Sequence, residues 1–381
     1  MPFRILQLNS ARLYVGEAAH TVNLTDALRQ AGHEVVLGLR EGHRTFEVAQ
    51  TRGLNPTGFN MPKGFRPGPN LADLRKISRT VKEKKIQLIH AHRGQDHWQA
   101  AMAVKLFGLK IPVIRTRHVV TPWKNSAFNR WLAKRTAAVV AVSTPIDADV
   151  KSNALFTPEK VRLIPGGIDF STFSPKGTRE QTRKELGFAP DETVCVIVAR
   201  FAKIKGHEFL REAWKTIQAA PPPGVKPRLI MIGWGQYREE IIHSGRAMGL
   251  KIEYWNPEEG ADPQPQIARV LEACDLGLLC SLGSEGFSRA VLEYLAMSLP
   301  VIGTRVGAVP DLIEDGVNGA LIEAGDATVL AAALVKFLSK PKAELQRMGA
   351  LGLQKAQARH SYAAWVKAHE QLYGEVLSAV K

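Results

Sequence analysis

Cysteine is scarce in this chain of 381 residues: Cys195, Cys274 and Cys280 are the only three, and no two form a Cys-x-x-Cys pair. That spacing argues against a structural zinc. Cys195 and Cys280 lie inside apolar runs, so the expectation is buried, reduced thiols and a reducing, cytosolic compartment. Long apolar runs are missing too. No stretch approaches the roughly 18–20 residues that a membrane-spanning helix needs. Met1 to Ile5 leads straight into an expected strand, without the basic, apolar and small-residue order of a signal peptide. There is no repeat of about 20–50 residues and no low-complexity tract; Pro221 to Gly224 reads as a loop. No zinc finger or RNA-stacking signature is present, so no nucleic-acid partner is expected.

Acidic residues are short in one half only. Residues 1–170 hold 26 Lys+Arg against 12 Asp+Glu, whereas residues 171–381 hold 25 against 24. Nearly all of the formal charge of +15 therefore sits in the first half. A one-sided basic field attracts phosphate-rich partners such as anionic lipid or an acidic glycolipid; a solvated, charge-stabilised surface is the plainer alternative. Hydrophobic residues make up 45% of the chain, enough for two cores in a chain of this length.

Apolar, β-branched runs alternate with helical segments. In the first half they are Phe3–Leu8, Glu34–Leu39, Ile86–Ala91, Val113–Arg115, Ala137–Val142 and Val161–Ile164, with a helix from about Ala18 to Ala31 that ends before Gly32. A second series follows: Val194–Ala199, Arg228–Ile232, Lys251–Trp255, Leu276–Cys280, Pro300–Gly303 and Ala320–Ile322. Alternation without hairpin turns predicts parallel sheets with crossover helices. The turn-rich stretch from Pro165 to Gly177 reads as an interdomain hinge. The expected domains are 1–167, 168–358 and a C-terminal helix, 359–381, that packs back towards the first domain. That helix carries Tyr362, Trp365, Leu372, Tyr373 and Val376 on one face.

Two constellations point to chemistry. Ser284 to Glu293 follows the run Leu276–Cys280 and is expected to open a helix. Glu285 and Glu293, eight positions apart, would then lie two turns apart on one helical face. Gly286 permits close backbone approach, and the amides of Phe287 and Ser288 would suit a phosphate at the helix start. Two solvated glutamates on a surface helix would show the same spacing. The second constellation is Arg200 with Lys203, Lys205 and Gly206, after the run Val194–Ala199. Cations at a strand end can clamp a pyrophosphate and stabilise it as a leaving group; a plain basic loop is the alternative.

Taken in order, these stretches resemble glycosyltransferase family 4, the retaining GT-B enzymes. The likeness rests on Gly16 with Leu24–Leu28, Gly32–Val35, Ile89–His92, Val161–Phe173, Val198–Gly206, Ile232–Gly235, Ala273–Asp275, Ser284–Glu293 and Pro300–Leu312. The resemblance implies an α/β GT-B fold: two doubly wound Rossmann-like domains facing a central cleft, with an N-terminal acceptor domain and a C-terminal donor domain. It implies that Glu285 contacts the transferred sugar, Glu293 holds the ribose hydroxyls, and Arg200 and Lys205 hold the pyrophosphate. It adds Gly233, Gly286, Phe287 and Ser288 to the donor site, and Gly16 in the first loop. His118 matches a family histidine near the donor sugar. The nucleotide base is expected near Tyr254, Trp255 and Asn256.

The sequence departs from the family pattern at Val15, Gly166, Ala308 and Asp311, where Gly, Asn, Gly and Glu are usual. No metal or cofactor is implied; a nucleotide sugar, most readily a UDP-sugar, is the donor substrate. Asp147-Ala148-Asp149 has the Asp-x-Asp form that holds a divalent cation in transferases of another fold. The helix dipole alone also favours acids in a first turn. A nucleotide-sugar epimerase and a non-catalytic nucleotide-sugar binder are the alternatives. Finally, Lys124 to Arg135 sets Phe128, Trp131 and Leu132 among Lys124, Arg130, Lys134 and Arg135, and Arg75 to Lys85 adds a second basic stretch. An apolar stripe flanked by cations suits an anionic membrane surface, which would place the chain at the inner face of the membrane. Packing of the three apolar side chains on the sheet is the alternative.

Overall fold

A computed structural model describes residues 2–121, 123–257, 262–283 and 285–379. The chain divides into two compact units. One comprises Met1–Gly167 and His360–Lys381, the other Ile168–Arg359.

The first unit holds a parallel sheet of seven strands: β1 (Arg4–Asn9), β2 (Glu34–Arg40), β3 (Thr57–Phe59), β4 (Leu88–Ala91), β5 (Val113–Arg117), β6 (Thr136–Ala141) and β7 (Val161–Leu163). Their spatial order is β3-β2-β1-β4-β5-β6-β7. Strands covered on both faces read as continuous apolar runs rather than alternating ones; β1 and β4 are buried along almost their whole length. The three-residue edge strand β3 escapes the sequence reading because Thr-Gly-Phe is too short to show a period.

The C-terminal stretch holds two helices. One helix runs Lys342–His360, and a separate one runs Tyr362–Ser378. Ser361 separates them as an N-cap: its Oγ accepts from the Ala364 N–H at 3.3 Å. The second helix buries Trp365, Leu372, Tyr373 and Val376 in one cluster with Ile5, Leu24 and Leu28. Tyr362 is only partly buried at its margin.

The second unit holds six parallel strands: β8 (Glu192–Val198), β9 (Lys226–Ile232), β10 (Ile252–Trp255), β11 (Leu276–Leu279), β12 (Val301–Thr304) and β13 (Gly319–Ile322). Their order is β10-β9-β8-β11-β12-β13. One side chain joins the two central strands. The Tyr294 hydroxyl accepts from the Val198 N–H at 2.6 Å and donates to the Leu278 carbonyl at 3.2 Å. Gly277 makes room for that ring, since a Cβ there would stand 2.5 Å from it. The three cysteines are buried and unpaired with one another, and burial raises each thiol pKa, that of Cys280 to about 12. They stay protonated at neutral pH.

Candidate functional site

In both parallel sheets the strand order reverses beside the first strand, at β1/β4 and at β8/β11. Open parallel sheets take ligands at the carboxyl ends of the strands flanking such a point. In the second unit the loop after β8 carries Arg200 and the 3-10 turn Lys203–Lys205, and the loop after β11 runs from Cys280 to Ser288. The two loops are joined: the Leu282 N–H donates to the Ile204 carbonyl at 2.8 Å. Gly206 (φ +68°) closes the 3-10 turn, and a Cβ there would stand 2.0 Å from the Cys280 carbonyl oxygen.

Glu285 is buried at this junction. Its Oε1 accepts from Lys205 Nζ and from Ser281 Oγ, both at 2.5 Å. Its backbone carbonyl accepts from the Ala308 N–H at 2.7 Å. Gly307 (φ +50°) allows this approach, because a Cβ there would lie 2.1 Å from the same oxygen. The usual second glycine of the family pattern is therefore dispensable at Ala308, whose amide makes the contact and whose side chain is buried.

The structure corrects one expectation. The helix runs Arg289–Ala296, with Ser288 as N-cap, so Glu285 lies in the preceding loop and shares no helical face with Glu293. The reason is a hydrogen bond taken elsewhere. In a continuing helix the Glu285 carbonyl would accept from the Arg289 N–H, but it is committed to Ala308, and the Arg289 N–H donates to Phe287 at 3.0 Å. Ser284 lies outside the described residues. Gly286 occupies this loop and is buried. Phe287 packs against the core. Ser288 is buried, and its hydroxyl has no hydrogen-bond partner among the described residues.

Glu293 is not a solvated glutamate. It is buried, and its Oε1 accepts from Arg289 Nε at 2.6 Å. Burial raises its pKa, and Arg289 opposes that rise. Arg200 differs: it is exposed, and its guanidinium makes no hydrogen bond or ion pair among the described residues. Gly233 (φ +155°) directly follows β9; its N–H donates to the Trp255 carbonyl, and a Cβ would stand 2.0 Å from the Ala199 oxygen. Tyr254 and Trp255 end β10, and Asn256 is exposed just beyond them.

The first unit presents a different chemistry at its own reversal. Gly16 is the first residue of the helix Gly16–Gln30, and open space surrounds the position a Cβ would take. His118 follows β5 and is buried against His92 and His20, with ring centroids at 5.6 and 4.7 Å. Burial, reinforced by the neighbouring imidazoles and by Arg115, pushes the pKa values of His90, His92 and His118 well below the usual imidazole value, so these rings are neutral at pH 7. The hydrogen bonds then assign a tautomer. His92 Nε2–H donates to Gln7 Oε1 at 2.5 Å, which leaves His92 Nδ1 to accept from His118 Nε2–H at 3.3 Å. The lone pair of His118 is thereby placed on Nδ1. The ring nitrogens of His20, His92 and His118 lie within 4.8 Å of one another, a spacing that could also hold a transition-metal ion.

The Asp-x-Asp residues lie on the helix Thr144–Lys151, where Asp147 pairs with Lys151 at 2.8 Å, a helical i, i+4 ion pair. On the helix Ala127–Lys134 the apolar stripe is split. Leu132 is buried, Phe128 is 49% exposed, and Trp131 stacks on Phe128 beneath the Arg135 guanidinium.

Residues 16–172 match Glycosyltransferase Family 4, and residues 192–340 match Glycosyl transferases group 1. The chain belongs to glycosyltransferase family 4. This family 4 chain is 28% identical, over 71% of its length, to a D-inositol 3-phosphate glycosyltransferase of Segniliparus rotundus. It spans 60–65% of the length of the first curated relatives it matches. It is 25% identical to an N-acetyl-alpha-D-glucosaminyl L-malate synthase of Bacillus anthracis, over 82% of this chain and 80% of that one. Its fold is GT-B: the structure of Anabaena HepE in complex with UDP and glucose superposes with a TM-score of 0.80, over 98% of this chain and 99% of that one, at 19% identity.

Sequence reasoning leaves three partners of these side chains unnamed: Ser281 on Glu285, and Gln7 and His20 around His118. His92 lies in a stretch quoted for the family likeness but without a role. A signal does exist for three of these four. Gln7 is a polar residue inside an apolar strand, and Ser281 and His92 each follow directly on a run of buried strand residues. Their pairing, across 85 residues for Gln7 and His92, is not a local property.

Proposed function

We propose that this chain is a retaining glycosyltransferase that moves a sugar from a nucleoside-diphosphate sugar to a glycan, glycolipid or lipopolysaccharide-core-like acceptor. The observation that carries the reading is the junction at β8 and β11: the loop after β8 carries both Arg200, whose guanidinium makes no hydrogen bond or ion pair among the described residues, and Lys205, in a part-buried pair with Glu285. A diphosphate at the strand ends would find Arg200 unengaged among the described residues and Lys205 further along the same loop. Glu285, held on both sides, would be presented to the sugar, and Glu293 to the ribose. Positive charge at the leaving diphosphate stabilises the transition state more than the ground state, which is what accelerates transfer. HepE, a fold neighbour, was crystallised with UDP and glucose, which supports UDP as the nucleotide here. Retention and independence of a metal are proposed from the family likeness, with His118 in the catalytic role that the likeness gives it.

Calorimetry with UDP tests this reading directly. Arg200→Ala is expected to weaken UDP binding about tenfold or more, the scale of one charge-assisted hydrogen bond. Lys205→Ala is a less clean test, because it also leaves Glu285 buried without its cation. Unchanged UDP affinity in Arg200→Ala would remove that residue from the site. Product analysis with the donor alone separates a transferase from an epimerase, which needs no acceptor.

We further propose a cytoplasmic protein that associates peripherally with anionic membrane. Among the described residues no helix is long and apolar enough to cross a membrane. Exposed Phe128 with Lys124, Arg130 and Lys134 around it supports an interfacial contact. In vesicle flotation, recovery with anionic vesicles is expected to exceed that with neutral ones and to fall sharply at about 0.5 M salt. Equal recovery on both would remove the membrane role.

A further inference from the structure

Part of the positive charge of the first half gathers where its sheet would bind a ligand. Arg12 follows β1, Arg40 is the last residue of β2, Arg66 follows β3 and Arg93 follows β4. These four strands are neighbours in the order β3-β2-β1-β4, so four consecutive carboxyl ends each deliver one guanidinium to the same edge. Their mutual proximity is sensed at Arg40. Its pKa is lowered first by burial and then by Arg12, Arg93 and Arg66, with Asp73 opposing. His43, just beyond β2, is lowered by burial and by the same Arg40 and Arg12.

Three acids nearby, Glu17, Asp73 and Asp96, offset this field only in part. Glu17 pairs with Arg93 at 2.5 Å. Asp73 is engaged by the backbone N–H groups of Asn60 and Met61. Asp96 accepts from Ser10 and from the backbone N–H groups of His92 and Arg93. Arg12 and Arg66 are exposed, and they make no ion pair among the described residues. Arg115, buried in β5 and paired in register with Ala91 of β4, keeps Nε and Nη1 without hydrogen-bond partners among the described residues. Burial lowers its pKa only to about 10, so it remains charged at pH 7. Four or more guanidinium groups gathered at a strand-end edge repel one another. An oxyanion that accepts from several of them would relieve that repulsion.

We propose that the acceptor is anionic, and that Arg12, Arg40, Arg66 and Arg93 bind its phosphate or carboxylate group at the carboxyl edge of the N-terminal sheet. This rests on the transferase reading for the word acceptor, but the anion site itself does not. The shared chemistry is a compact oxyanion, and a guanidinium fork matches both phosphate and carboxylate.

The test separates this site from the diphosphate site. The full chain carrying Arg200→Ala and Lys205→Ala is titrated with inorganic phosphate, with malonate and with uncharged inositol, followed by thermal shift. Phosphate or malonate is expected to stabilise it in a saturable way, and inositol is not. The stronger of the two anions identifies the group on the natural acceptor. Adding Arg12→Gln and Arg66→Gln, both at exposed positions that leave the core untouched, is expected to weaken the anion about tenfold or more. Arg66→Lys should restore part of the loss. No anion binding in the first variant, or binding unaffected by the added substitutions, overturns the proposal. The transferase reading stands or falls separately, on UDP binding to the wild-type chain.

Discussion

Glu285→Gln is expected to lower the rate of sugar transfer by about 10²- to 10³-fold, the scale of losing one charge-stabilising group at a reaction centre. The substitution is close to isosteric. The amide oxygen can keep the Ser281 hydroxyl, so the loop retains one of its two side-chain anchors. What disappears is the negative charge that meets Lys205 at 2.5 Å and that would face the sugar. Lys205 then sits beside a neutral amide and is free to turn to a diphosphate. UDP affinity should therefore hold or rise slightly while kcat falls, the pattern of an interaction made in the transition state. Steady-state kinetics with a UDP-sugar, alongside circular dichroism to establish folding, checks both halves. A folded Glu285→Gln variant with wild-type kcat would falsify the role assigned to this carboxylate.

Gly307→Ala is expected to damage the same site from 22 positions away in sequence. The added Cβ would stand 2.1 Å from the Glu285 carbonyl oxygen, and the backbone at φ +50° already disfavours any side chain. Neither atom is the end of a flexible side chain, so the loop has to move. The strain and lost hydrogen bond to Ala308 should cost about 1–3 kcal/mol, read as a fall of a few degrees in Tm. Activity should fall more than stability does. Displacement of a reacting group by about 1 Å is enough for roughly a hundredfold loss, so at least a tenfold drop in kcat is expected. An Ala variant with unchanged Tm and kcat would show that the Gly307 contact holds nothing in place.

The layered plan of the molecule was legible because it depends on local signals. Parallel strands buried on both faces write themselves as apolar runs, and Val194–Ala199 and Leu276–Cys280 correspond to β8 and β11 within one or two residues. The short β3 was not legible, because an edge pairing rather than a pattern of hydrophobicity sets its boundary.

Around the site the division falls differently. The residue types of the proposed diphosphate and sugar site were visible as motifs: Arg200 and Lys205 after one strand, Glu285 and Glu293 after another. Their geometry was not. Sequence spacing placed Glu285 on a helix with Glu293. The fold withholds it from that helix, because the Glu285 carbonyl finds the Ala308 amide first. Spacing set Lys205 aside for a phosphate, whereas the fold also makes it the partner of Glu285, 80 positions away.

What the sequence by itself determined is the kind of chain this is: two α/β layers with most of the positive charge in the first half, and motif order enough to recognise a family. Those properties are sums over residues or patterns of local period, and no tertiary contact is needed to read them. What only the tertiary structure decided is which charges meet. Arg12, Arg40, Arg66 and Arg93 are spread over 82 residues and appear in sequence as ordinary surface cations. They share one edge only because the strand order β3-β2-β1-β4 sets four carboxyl ends side by side. Coulomb interactions depend on distance in space, and distance in space is a product of topology.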